Sequence, residues 1–152
     1  MDRRNRKHFR GAHLGLPFVV AETTLDGLRR ARPNCAAFGA ADRAHPHTAD
    51  RFSIFLYTRT GHGVEQLQAR MFAPLNNIWE DPATGSASAA LGAFLASLDP
   101  RSDVDVEIAM EQGLQMGRPS AIELHVRKRA GCVLEVTIAG FCVPVMQGTI
   151  KL

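Results

Sequence analysis

Trp79-Glu80-Asp81-Pro82-Ala83-Thr84-Gly85-Ser86-Ala87, continued by Ser88-Ala89-Ala90-Leu91-Gly92-Ala93-Phe94-Leu95, is the stretch on which the reading of this chain turns. Glu80 and Asp81 are the last charges before an uncharged run of 17 residues, 82–98. Thr84, Gly85 and Ser86 are small and polar where a helix would begin. A helix N-terminus carries free backbone N–H groups and the positive end of the helix dipole, so it can seat an anion. The helix behind it, about 86–98, has too many small and apolar residues to face water, and so is expected at the centre of the fold. Two carboxylates and hydroxyls at the mouth of a buried helix resemble a site more than a surface.

The flanking segments say what encloses that helix. Val104, Val106 and Ile108 oppose Asp103, Asp105 and Glu107, and Ile122, Leu124 and Val126 oppose Glu123, His125 and Arg127. That period of two is the signature of strands with one buried face. Residues 51–58, 64–72, 133–138 and 142–150 read as further strands, Pro144 confining the last to an edge or bulge. Leu16 to Ala21 gives a first strand. Thr24 is the expected N-cap of a short helix to about Ala31, ended by Pro33-Asn34. Residues 35–41 are apolar enough for a partly buried strand or turn, and residues 42–50 have the composition of an exposed loop. The expected architecture is one α+β lobe, a curved mixed or antiparallel sheet wrapped around the central helix.

Composition narrows the function. With 152 residues, 45% hydrophobic and 22% charged, the chain suits one globular domain. The net charge of +3 is concentrated in residues 1–10, which hold five cations and one anion. Residues 1–14 therefore read as a basic, disordered or solvated tail, and 15–152 as a nearly neutral domain. A nucleic-acid reader carries its charge on the body, so nucleic acid is not an expected partner. The uncharged run is too short and small-residued for a membrane span, and no membrane association is expected. Cys35, Cys132 and Cys142 are odd in number and lack metal-ligand spacing. They read as reduced thiols of a cytoplasmic protein, with no metal.

The residues themselves leave the chemistry open. Asp81 at the helix mouth either caps the helix or serves as an acid/base carboxylate. The hydroxyls of Thr84 and Ser86 either satisfy orphan amides or face a ligand carboxylate. Residues 113–120, Gly-Leu-Gln-Met-Gly-Arg-Pro-Ser, form a connection between strands, where Arg118 alone offers a fixed positive charge. No Ser-His-Asp pattern, phosphate loop or dinucleotide fingerprint occurs.

Arg70-Met71-Phe72-Ala73-Pro74 and then Glu80-Asp81-Pro82-Ala83-Thr84-Gly85-Ser86-Ala87 strongly resemble the PhzF-like family of phenazine biosynthesis. Gly117-Arg118-Pro119-Ser120 and Val143-Pro144-Val145-Met146-Gln147-Gly148-Thr149 resemble its closing segments. The resemblance implies the diaminopimelate-epimerase-like fold, in which two pseudo-symmetric lobes each wrap a sheet around a helix and the active site lies between them. It implies a cofactor-independent isomerase or epimerase that shifts a proton beside a carboxylate-bearing carbon. By motif position, Asp81 is similar to the family's acid/base-assisting aspartate and Ser86 to its substrate-binding serine. Thr84, Gly85 and Arg118 would join in receiving the substrate carboxylate. The motif contains no Cys, unlike the related two-cysteine epimerases. The family's proton-transferring glutamate belongs to an N-terminal lobe, and the resemblance covers the C-terminal lobe only, from about Gly15. Asn77 replaces a glycine common before the Glu-Asp pair. The implied partners are a small carboxylate substrate and either that N-terminal lobe or a second copy of this chain. The alternative is a catalytically inactive lobe that forms a homodimer or binds small carboxylates.

Overall fold

The alternation that opens at Val104 becomes strand, and its inward set lines the core. A computed structural model of the chain describes residues 10–13, 17–45, 51–61, 63 and 65–151. In chain order these form β1 (Arg10–His13), β2 (Pro17–Glu22), α1 (Leu25–Arg30), α2 (Cys35–Ala44), β3 (Ile54–Arg59), β4 (Gln66–Ala73) and β5 (Ile78–Asp81). Next come α3 (Gly85–Leu98), β6 (Val104–Gln112), β7 (Ser120–Arg129) and β8 (Cys132–Ala139). The strands make one mixed sheet in the order β1-β2-β3-β4-β6-β7-β8, with β5 paired to β4 off that path. The β2–β3 and β4–β6 pairs are parallel and the others antiparallel.

The sheet twists and curls as strands of L-residues do, until both of its ends reach α3. The helix touches β7 and β8 at one end and β1 and β2 at the other. Ala87, Ser88, Ala89, Ala90, Leu91 and Gly92 are all buried. Six successive residues cover the whole circumference of a helix, so these turns are enclosed on every side, as the composition required. Around them pack Phe55, Leu67, Ile108, Met110, Leu124 and Val126. Burial of each such large side chain stabilises the fold by about 1.5–3 kcal/mol. Gly92 permits close approach: a Cβ there would stand 3.2 Å from Val126 Cγ2 and 3.4 Å from Leu124 Cδ1. The C-terminal half of α3 is less enclosed, and Ser97 and Leu98 are exposed.

Two buried cations fasten helix ends to the sheet. Lys128 occupies the next inward position of β7 after Val126. Its Nζ donates to Ala96 O at 3.1 Å and Asp99 O at 2.7 Å, satisfying carbonyls at the end of α3. Arg70 lies on the other face of the sheet and donates to the carbonyls of Leu28 and Ala31 at 2.8 and 3.0 Å, at the end of α1. Cations at helix C-termini also complement the dipole.

Thr24 caps α1 as expected, its hydroxyl accepting from Gly27 N at 3.0 Å. Elsewhere the structure differs from the sequence reading. Residues 35–41 are helical, within α2, because Asn34 Oδ1 accepts from Ala37 N and starts a helix. Their apolar character had suggested burial, yet only Phe38 of α2 is buried, edge-on to Phe52 with ring centroids 5.5 Å apart. Residues 142–150 form no strand: residues 140–151 lie outside any helix or strand and are exposed throughout. The end of the expected N-terminal tail, Arg10–His13, pairs with β2. The rest of that tail, residues 14–16 and residues 46–50 of the expected loop lie outside the described residues.

Candidate functional site

β4 places the site. One of its edges pairs with β3, and the other is divided between two strands. Ala69 is in register with Gln112 at the end of β6, and Met71 with Asp81 at the end of β5. Residues 31 apart in sequence thus finish side by side, at the point where the chain passes through Pro82 and Ala83 into α3.

Gln112 is fully buried and locks that passage. Its Nε2 donates to Asp81 O at 2.7 Å and to Thr84 Oγ1 at 2.8 Å. Its Oε1 accepts from Thr84 N at 3.0 Å. The Thr84 hydroxyl donates in turn to Asp81 Oδ2 at 2.6 Å. Asp81 is therefore held by a neighbouring hydroxyl and a buried amide. It does not accept from an amide of α3, as a simple cap would. The helix N-cap is Thr84, which makes no side-chain cap bond. The N–H groups of Gly85, Ser86 and Ala87 meet no acceptor among the described residues. Asp81, Thr84 and Gly85 are half-buried and Ser86 is exposed, so this turn opens to the surface.

The loop after β6 forms a second side. Gly113 has φ +78°, and a Cβ there would stand 2.2 Å from Arg118 O and 3.0 Å from Pro82 O. Only a glycine fits against both neighbours in that left-handed conformation. Residues 113–118 are thereby held against the passage into α3, closed by the Arg118 N–Gly113 O bond at 3.1 Å. Arg118 is exposed and its side chain bonds none of the described residues. Ile138 of β8 closes another side, its Cδ1 3.7 Å from where a Gly85 Cβ would be. Ile78 and Trp79, just before Asp81, are exposed.

One expected member is not at the mouth. Successive strand residues point to opposite faces, and Glu80 turns away from Asp81 to meet Arg70. Arg70 Nε and Nη2 donate to Glu80 Oε1 and Oε2 at 2.8 and 2.7 Å, with both side chains under a tenth exposed. Among the described residues the mouth holds one carboxylate, Asp81, and the Glu80 side chain is a buried structural anion. Asn77, where the resemblance leads one to expect glycine, has φ 59°. Asn is among the few side-chain-bearing residues that tolerate this conformation, so the turn before β5 is preserved.

Sequence reasoning missed Gln112. The signal was available: Val104, Val106, Ile108, Met110 and Gln112 share the inward parity of β6, and the last is polar. A polar residue on a buried parity needs a partner.

The sequence profile of the family described as "Phenazine biosynthesis-like protein" matches residues 16–148. An uncharacterized isomerase of Mesorhizobium japonicum is 37% identical over 97 residues, covering 63% of this chain and 32% of that protein. The trans-2,3-dihydro-3-hydroxyanthranilate isomerase of Pseudomonas chlororaphis is 31% identical over 120 residues, 79% of this chain and 42% of its own length. Among solved structures, a phenazine biosynthesis protein of the PhzF family from Bacillus anthracis superposes with a TM-score of 0.64 at 20% identity. That match covers 88% of this chain and 49% of the other, and it shows the fold. The chain thus spans less than half the length of each of these proteins.

Proposed function

The chain belongs to the phenazine biosynthesis-like family, and from that premise we propose that it supplies one wall of a cofactor-independent isomerase site. The reaction is a proton shift at a carbon beside a carboxylate, on a substrate of the dihydro-hydroxyanthranilate class. One observation carries the reading: the free N–H groups of Gly85, Ser86 and Ala87 lie directly after a half-buried carboxylate, Asp81, that a separate network holds in place.

Those two features divide the work. The amides and the Ser86 hydroxyl receive the substrate carboxylate, where the helix dipole favours negative charge. Arg118 at the adjoining loop adds a positive charge to the same side. Negative charge that develops when the neighbouring carbon loses its proton is spread toward these donors. Asp81 keeps Oδ1 free of the described residues while Oδ2 is held by Thr84. It is the acid/base-assisting group at the reacting carbon. The principal proton-transferring group comes from the opposite wall, in the half of the relatives that this chain does not span.

The test is solvent deuterium uptake into trans-2,3-dihydro-3-hydroxyanthranilate. This chain would be assayed alone and mixed with the half of the Pseudomonas chlororaphis isomerase that it does not match. Exchange is expected in the mixture, reduced roughly 10²–10⁴-fold by Asp81→Asn. An absence of exchange in both conditions rejects the reading. A second reading rests on the same free amides: the lobe binds small aromatic carboxylates without turnover. Calorimetric titration with anthranilate, comparing the wild type with Ser86→Ala, separates it from a purely structural role.

A further inference from the structure

The side-chain amide of Gln112 has a single workable orientation. Its backbone is held from both sides, in register with Ala69 of β4 and Ser120 of β7, and its side chain is fully buried. The Thr84 N–H can only donate and the Asp81 carbonyl can only accept. The amide oxygen therefore faces Thr84 N, at 3.0 Å. Its NH2 group faces Asp81 O at 2.7 Å and Thr84 Oγ1 at 2.8 Å. Turning the amide over would set donor against donor and acceptor against acceptor.

That orientation is passed to the next group. Thr84 Oγ1 already receives an N–H, so its own proton goes to Asp81 Oδ2 at 2.6 Å, within the range of a hydroxyl donating to a carboxylate. Hydrogen bonds aligned in this way strengthen one another. Among the described residues no donor is paired with Asp81 Oδ1.

We propose that Gln112 is a positioning residue: acting through the Thr84 hydroxyl, it holds the Asp81 carboxylate in one rotamer with Oδ1 left for the reacting carbon. This rests on the reading of Asp81 as the acid/base-assisting group. Gln112 is buried and reaches neither substrate nor reacting atoms. It is rooted between two strands, whereas Asp81 and Thr84 lie in the passage into α3. The sheet thus sets the geometry of a carboxylate at the surface of the lobe. Misplacing a reacting group by about 1 Å costs roughly 10²-fold in rate. Gln112 bonds Asp81 and Thr84 and not the amides of Gly85, Ser86 and Ala87, so its effect is separable from binding of the substrate carboxylate.

Gln112→Glu keeps the side-chain shape and replaces the donating Nε2 with an oxygen. Three-bond proton couplings of Asp81 in the full chain are expected to report one χ1 rotamer in the wild type and averaging among rotamers in the variant. If Gln112→Glu does not fold, Thr84→Val, which removes the hydroxyl at nearly constant volume, is expected to show the same averaging. One rotamer in the variant, or averaging already in the wild type, overturns the proposal. Deuterium exchange in the mixed assay described above tests the consequence for the reaction. There Gln112→Glu should lower kcat about 10²-fold with KM little changed, and should have no further effect in Asp81→Asn protein. A further loss in that protein would give Gln112 a purely structural role and overturn the proposal. No exchange in the wild-type mixture removes the isomerase reading, while the couplings still decide whether Gln112 holds Asp81.

Discussion

Gln112 and Thr84 are joined by two hydrogen bonds, Thr84 N to Gln112 Oε1 at 3.0 Å and Gln112 Nε2 to Thr84 Oγ1 at 2.8 Å. The pairing satisfies the first amide before α3 from outside the helix. It also leaves the Thr84 hydroxyl proton for Asp81. Replacing Gln112 with Leu roughly keeps the volume but takes their partner from the part-buried Thr84 N–H and Asp81 carbonyl. A buried unsatisfied group costs about 1–3 kcal/mol. Urea unfolding should therefore show Gln112→Leu destabilised by that order, and any activity dependent on Asp81 should fall with it. Unchanged stability would mean that the passage into α3 is held by other contacts.

The Arg70–Glu80 pair makes a different prediction, because it is charged and buried. Arg70 also holds the carbonyls at the end of α1 and lies over the Phe72 ring, 4.7 Å from its centre. Removing one partner leaves the other charge buried and unpaired, typically a loss of about 3–5 kcal/mol. Arg70→Met is expected to fall in or above that range and Glu80→Gln at its lower end. Measured together, the double change should cost much less than the sum of the two. Additive effects would show that the two residues act separately.

Tyr57 is the single tyrosine of the chain, so its titration can be followed by ultraviolet absorbance without interference. Burial first, and then the Glu22 carboxylate to which its hydroxyl donates at 3.2 Å, push its pKa up from 10.0 to about 12. The folded state then holds a proton that the unfolded chain releases near pH 10. The resulting stability is fully present below pH 10 and is lost as the pH rises to about 12. Glu22→Gln should bring the phenolate midpoint down. A midpoint near 10 in the folded wild type would contradict the burial of this ring.

Ala130 opens the β7–β8 turn with φ 50°, and Gly131 follows at φ 80°. An L-residue other than Gly, Asn or Asp in the left-handed region costs about 1–2 kcal/mol. Ala130→Gly relieves that strain but adds freedom to the unfolded chain. The expected net result is a stabilisation of up to about 1 kcal/mol, seen as a raised midpoint of thermal unfolding. A lowered midpoint would show that the turn relaxes around alanine without strain.

Much of this architecture is local in origin and was legible in the residues. The period of two in β6 and β7 and the charge-free run of α3 report burial directly, because each residue's polarity must match the face it is on. Thr24 announces its helix by the same local logic. Residues 35–41 misled because alanine is apolar yet is at home on an exposed helix. The Asn34 cap, a weaker signal than hydropathy, settled the matter. Residues 142–150 misled in the opposite way: a strand pattern states what a segment can pair with, and among the described residues this segment is paired with no strand.

The mouth of α3 divides along the same line. The sequence by itself determined that a buried helix begins at about residue 86 with two carboxylates before it, and left open whether its first amides are capped, since capping and hydropathy act within a few residues. Only the tertiary structure decided which carboxylate remains there. Strand alternation at β5, with Arg70 on the neighbouring strand, draws Glu80 into a buried pair and leaves Asp81 at the mouth. The pairing of β4 with both β5 and β6 brings Gln112 to Thr84 across 28 positions of sequence. No local rule reaches that far, because the contact depends on sheet order, and sheet order is set by the packing of the whole lobe around one enclosed helix.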